Sequence, residues 1–162
     1  MRSDDKWSPF IIGDSPKVRP LNTREGLGDR LRLIAFAERQ AYYAFLEAAE
    51  RFTDAPAELI AAWKWVAGEE KKHESWYLKR LEEIGQDVAA VPVSLNLYHS
   101  FAECKTAREF ALYISDAEER GRVGAERFAE VLRETDPVTA KMFAQVALEE
   151  REHVRLVERF FP

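Results

Sequence analysis

Two Glu-x-x-His pairs, Glu70–His73 and Glu150–His153, lie 80 residues apart in this chain. Each follows a lone glutamate by the same 32 residues, Glu38 before Glu70 and Glu118 before Glu150. A glutamate and a histidine three apart on a helix project from one side and can grip one metal ion together. Two helices carrying such pairs, with two more carrying a single inward glutamate, supply the six ligands of a carboxylate-bridged dimetal centre. In the bundle geometry Glu38 and His73 serve one ion, Glu118 and His153 serve the other, and Glu70 and Glu150 bridge.

Helical phase supports inward-facing acids. Glu70 lies seven residues after Trp63 and four after Val66, and Glu150 stands in the same relation to Phe143 and Val146. Glu38 falls four after Ile34 and four before Tyr42, and Glu118 four after Ile114 and three before Gly121. Each acid interrupts an apolar stripe at helical spacing. Four buried carboxylates without counter-charge would protonate or prevent folding. Two divalent cations match that charge. Oxygen donors with one imidazole per ion suit iron or manganese, and zinc can also be accommodated. Either Glu-x-x-His string alone reads more readily as charged helix surface than as a site. Agreement of four positions in phase, order and spacing favours a site. Glu119 competes with Glu118, but it sits about 100° around the helix and breaks the 80-residue offset.

Four helices must position these groups. The periodicity predicts helix over roughly 23–53, 56–84, 106 to the low 130s and 137–160. Asp54-Ala55-Pro56 breaks the first pair, Gly85 stops the second helix, Thr106-x-x-Glu109 forms a capping box, and Asp136-Pro137 opens the last helix. A connection of about 20 residues, with Pro92 and an apolar patch at 93–98, joins the two hairpins. Such a link can run the length of a helix of about 40 Å. Ungapped similarity at an offset of 80 (Ala37, Glu38, Val66, Ala67, Glu69, Glu70 and His73 recurring as Ala117, Glu118, Val146, Ala147, Glu149, Glu150 and His153) marks the halves as repeats. The expected fold is all-α, a four-helix bundle over residues 23–162 made of two hairpins and one long crossover. Residues 1–22, with Pro9, Pro16 and Pro20, form an N-terminal arm. Its Trp7, Phe10, Ile11 and Ile12 can pack on the body or on a neighbouring subunit.

Composition narrows the class. The chain has 162 residues, 46% hydrophobic and 33% charged, with a net charge of −5. Length and apolar content suit one domain with a real core. The negative balance argues against a general nucleic-acid surface. No stretch approaches the length of a membrane span, and the N-terminus lacks an apolar signal core. The single cysteine, Cys104, excludes an intramolecular disulfide and a four-cysteine metal site within one chain. A reducing cytoplasm is the expected location.

On Glu38, Glu70-x-x-His73, Glu118 and Glu150-x-x-His153, residues 24–160 resemble the ferritin-like superfamily of dimetal-carboxylate proteins. The resemblance implies two iron ions, alternatively Mn/Fe or Mn/Mn, that react with dioxygen or peroxide. Among members, the chain is similar at most to a rubrerythrin core without the rubredoxin module: it departs from rubrerythrins in having one cysteine and in carrying Gly121 one turn past Glu118, where they have an additional glutamate. Reduction would then need an external electron donor. The last predicted helix is expected to end at Phe160-Phe161-Pro162, without the fifth helix that cage ferritins add.

The resemblance implies a non-haem dimetal oxidoreductase, by peroxide reduction or by substrate hydroxylation, acting as a homodimer. A ferroxidase linked to iron storage and a non-catalytic metal-binding bundle are the alternatives. Several neighbours have more than one reading. Ala41 and Gly121 leave room for a small molecule or permit close helix packing. Arg122 can pair with Glu118, hold an anion or reach outward. Glu69 and Glu149 can orient the histidines or face solvent. Tyr42, Trp63 and Tyr77 read first as aromatic core, and His99 as surface.

Overall fold

In a computed structural model, residues 6–162 are described; positions 1–5 of the arm lie outside the described residues. Five helices and no strand occur among them: α1 Arg24–Arg51, α2 Ala57–Glu83, α3 Asn96–Glu103, α4 Ala107–Leu132 and α5 Pro137–Phe160. The four long helices match the expected spans to within two residues, because their ends are set locally. Thr106 caps α4 by accepting from the Glu109 amide, and Asp136 caps α5 by accepting from the Thr139 amide, with Pro137 in the first turn. Gly85, at φ +71°, ends α2 in the left-handed conformation that glycine adopts without strain. No helix among the described residues is long and apolar enough to cross a membrane.

The connection between the hairpins differs from expectation: residues 96–103 form a fifth helix, α3. Its amide at Tyr98 donates to the buried Gln40 side chain of α1 at 2.9 Å, and Phe101 is buried. Eight residues are marginal as an isolated helix, so α3 is held by these tertiary partners.

The chain divides into two compact units, one of residues 1–46 and 67–102, the other of 47–66 and 103–162. In the first, the arm covers α1. Trp7 packs edge-on against Phe36, Tyr43 and Tyr98 at 5.0–5.6 Å between ring centroids, and Phe10 is buried against Phe36. Ile11 and Ile12 are exposed. A short parallel bridge joins Ile12 to Val93. Arg39 clamps the buried Glu74 with its Nε 2.9 Å from both carboxylate oxygens, and it also donates to the Lys6 and Ser8 carbonyls. Gly26 is required where α1 begins, because a Cβ there would sit 1.8 Å from the Pro20 carbonyl oxygen.

In the second unit α4 and α5 pack as a hairpin. Phe128 meets Phe143, and the Ser115 hydroxyl donates across to the Val154 carbonyl. Trp63 from α2 stands perpendicular to Phe110, 5.3 Å away. The 80-residue repeat is visible in burial. Trp63, Val66, Ala67, Glu70 and His73 are all buried, and so are Phe143, Val146, Ala147, Glu150 and His153. Both Glu-x-x-His pairs therefore occupy the core face of their helix.

Candidate metal centre

In the first unit, α1 contributes Glu38, and α2 contributes Glu70 and His73. One ligand atom from each lies within 4.8 Å of the other two. Glu70 and His73 are wholly shielded from solvent, and Glu38 is buried. In the second unit, α4 contributes Glu118, and α5 contributes Glu150 and His153, gathered within the same 4.8 Å. The His153 Nδ1 stands 3.0 Å from a Glu150 oxygen and 3.6 Å from a Glu118 oxygen. Ligands bonded to one ion at about 2.1 Å lie roughly 3–4 Å apart, so both trios have the size of a metal site. Each offers two carboxylates and one imidazole, a donor set that suits iron, manganese or zinc.

Electrostatics in the second trio points the same way. Burial, and then the neighbouring Glu150 carboxylate, push Glu118 well above the usual carboxylate range, while His153 opposes the shift. Two such acids side by side call for a shared proton or a cation. Removing one negative charge should therefore stabilise the metal-free protein. Glu118→Gln is expected to raise its melting temperature by several degrees, yet to reduce the further rise that added metal gives the parent, since one ion is lost. Thermal melts with and without metal check both signs.

The neighbours resolve into distinct roles. Glu119 takes two 2.7 Å bonds from Arg122, whose guanidinium also reaches Glu126 at 2.6 Å. Arg122 thus closes a surface network with Glu119 and Glu126, and burial distinguishes Glu118 from its rival. Glu69 is bound by Lys72 at 2.6 Å, with one oxygen within 4.8 Å of a His73 nitrogen, and Glu149 accepts from Gln145 at 2.8 Å. Ala41 is buried, whereas Gly121 is exposed with open space where a Cβ would stand. Close helix packing therefore does not explain that glycine. Trp63 and Tyr77 belong to the core, Tyr42 is half-buried beneath Lys71, and His99 is exposed.

Two aromatic neighbours were not foreseen from sequence. Trp76 lies 5.5 Å from the His73 ring, and Trp65 lies 5.7 Å from the His153 ring at 88°. The first follows from its place one turn beyond His73 on the same helix. The second joins α2 to α5, and no local pattern announces it.

No curated protein and no solved structure matches the chain. A family model described as a protein of unknown function, DUF455, matches residues 6–162, and the chain belongs to that family.

Proposed function

We propose that the two trios are the halves of one dimetal-carboxylate centre in a ferritin-like four-helix bundle. In this reading the protein is a non-haem di-iron oxidoreductase that acts on dioxygen or peroxide. The observation that carries it is the pair of buried Glu-Glu-His trios, generated at one 80-residue offset and presented on equivalent helix faces. Glu70 and Glu150 bridge, while Glu38 with His73 and Glu118 with His153 complete each ion. Iron ions held there would supply the redox chemistry.

The chain's own groups do the rest. The carboxylates would neutralise the charge of the ions. The two imidazoles hold one coordination direction each. Trp63, Val66, Phe143 and Val146, buried in the turns before the two Glu-x-x-His pairs, would help to keep bulk water out. When a site is empty, Glu118 and Glu150 can share a proton between them. An external one-electron donor, a homodimeric assembly and a cytoplasmic setting complete the proposal.

The test is the metal content of protein purified without an affinity tag, followed by consumption of dioxygen or peroxide under a reductant. Two iron or manganese ions per chain, with turnover, are expected. Protein that binds no more than one ion, or binds two and consumes neither oxidant, would overturn the reading. Assembly into a hollow shell would favour iron storage instead.

A further inference from the structure

We infer that Trp65 is a positioning residue for His153, holding the imidazole in its ligating orientation and keeping water from it. The inference rests on His153 being a metal ligand, as proposed above. The Nδ1 edge of His153 faces Glu150 and Glu118. That fixes which edge of the ring faces the other ligands. A ligating histidine is usually held by a partner beyond the metal, and loss of that partner weakens metal binding.

Trp65 is placed for this task. Its ring stands perpendicular to the imidazole, 5.7 Å away, a geometry that aromatic pairs prefer. The indole is 53% exposed, while His153 is 3% exposed. One side chain thus reaches from solvent to a buried ligand ring. An edge-to-face contact of this kind favours one ring orientation over others by roughly three- to tenfold.

Core packing does not explain the residue. Of the residues one turn to either side of Trp65 on α2, Ala61 and Gly68 are exposed and Ala62 and Glu69 half-buried; none is buried. The equivalent position in the second half is Gln145, which is exposed and bonds to Glu149. The repeat therefore does not require an aromatic residue here. His73 has an analogous neighbour in Trp76, at 5.5 Å and 50°. Both tryptophans come from α2, and the α5 counterpart of Trp76 is Leu156.

The test compares wild type, Trp65→Phe and Trp65→Ala, each loaded with ferrous iron and then mixed with an excess of a coloured ferrous chelator. Trp65→Ala is expected to release one of its ions about tenfold or more faster than wild type, with the other unchanged. Trp65→Phe, which restores an aromatic ring, should stay within about threefold. In metal-free protein, the His153 ring protons should shift in Trp65→Ala as the indole ring current is lost.

Wild-type release kinetics in Trp65→Ala would overturn the proposal, and so would release from Trp65→Phe as fast as from Trp65→Ala. Failure of the wild type to take up iron would instead overturn the ligand assignment of His153, and this proposal with it. The metal-free spectra separate the two failures, because the ring contact is then read without any ion. Unchanged His153 resonances in Trp65→Ala would refute the contact itself.

Discussion

Replacing Glu70 with alanine is expected to take the protein from two bound ions per chain to none. The same result is expected for Glu150→Ala, whereas Glu38→Ala and Glu118→Ala should each spare one ion. The difference follows from bridging. A terminal carboxylate serves one ion, and its loss leaves the other with a full set. A bridging carboxylate serves both, and its loss also leaves two cations facing each other with less negative charge between them. Metal analysis after gel filtration reads the stoichiometry directly. Folding should survive, because each substitution removes a buried negative charge that the metal-free core must otherwise accommodate. If Glu70→Ala retains one stoichiometric ion, Glu70 is terminal and the two sites are independent.

The largest effect on stability lies away from the metal ligands, at Asp29. This carboxylate is buried, and it takes bonds from Arg19 at 2.7 and 2.9 Å and from the fully buried Arg32 at 3.2 Å. Arg32 also donates to the Asp87 and Val88 carbonyls, which fastens the loop after α2 to α1. Hydrogen bonding from Arg19 holds Asp29 down to about 2, against the opposing effect of burial. Asp29→Ala would leave the Arg32 guanidinium buried without its carboxylate. Breaking a buried pair from one side costs roughly 3–5 kcal/mol, a fall in melting temperature of about 10 °C for a chain of this size.

The pH dependence has a definite sign. Because the folded value lies below the ordinary 3.8, the stabilisation is complete above that pH. It is lost as pH falls from there through about 2. Asp29→Ala should therefore lose most against wild type near neutrality, with the gap narrowing in acid. Denaturant melts at several pH values measure this. A gap that does not change with pH would mean that the cost comes from lost packing and not from the ion pair.

How much was legible in the sequence follows from which interactions are local. The long helices could be read because their signals are short-range: the 3.6-residue period, the Thr106 and Asp136 caps, the Pro137 start and the positive-φ Gly85 each act within one or two turns. The same holds for the buried face of each Glu-x-x-His pair. A glutamate in phase with Trp63 and Val66, or with Phe143 and Val146, must share their environment, and Glu70 and Glu150 are buried as that phase requires.

Tertiary structure decided what depends on partners distant in the chain. The apolar residues of 96–103 are too few to specify a helix, and α3 forms where Gln40 of α1 meets the Tyr98 amide. Arg122 had several acids within reach in sequence, and only the rotation of α4 turned it to Glu119 and Glu126 and left Glu118 inside. Trp65 is an exposed position on α2, and its contact with His153 of α5 comes from the way those two helices meet. Periodicity along one helix determines which face is buried. Which side chain from another helix arrives at that face is settled by packing between helices, which no single stretch of sequence encodes.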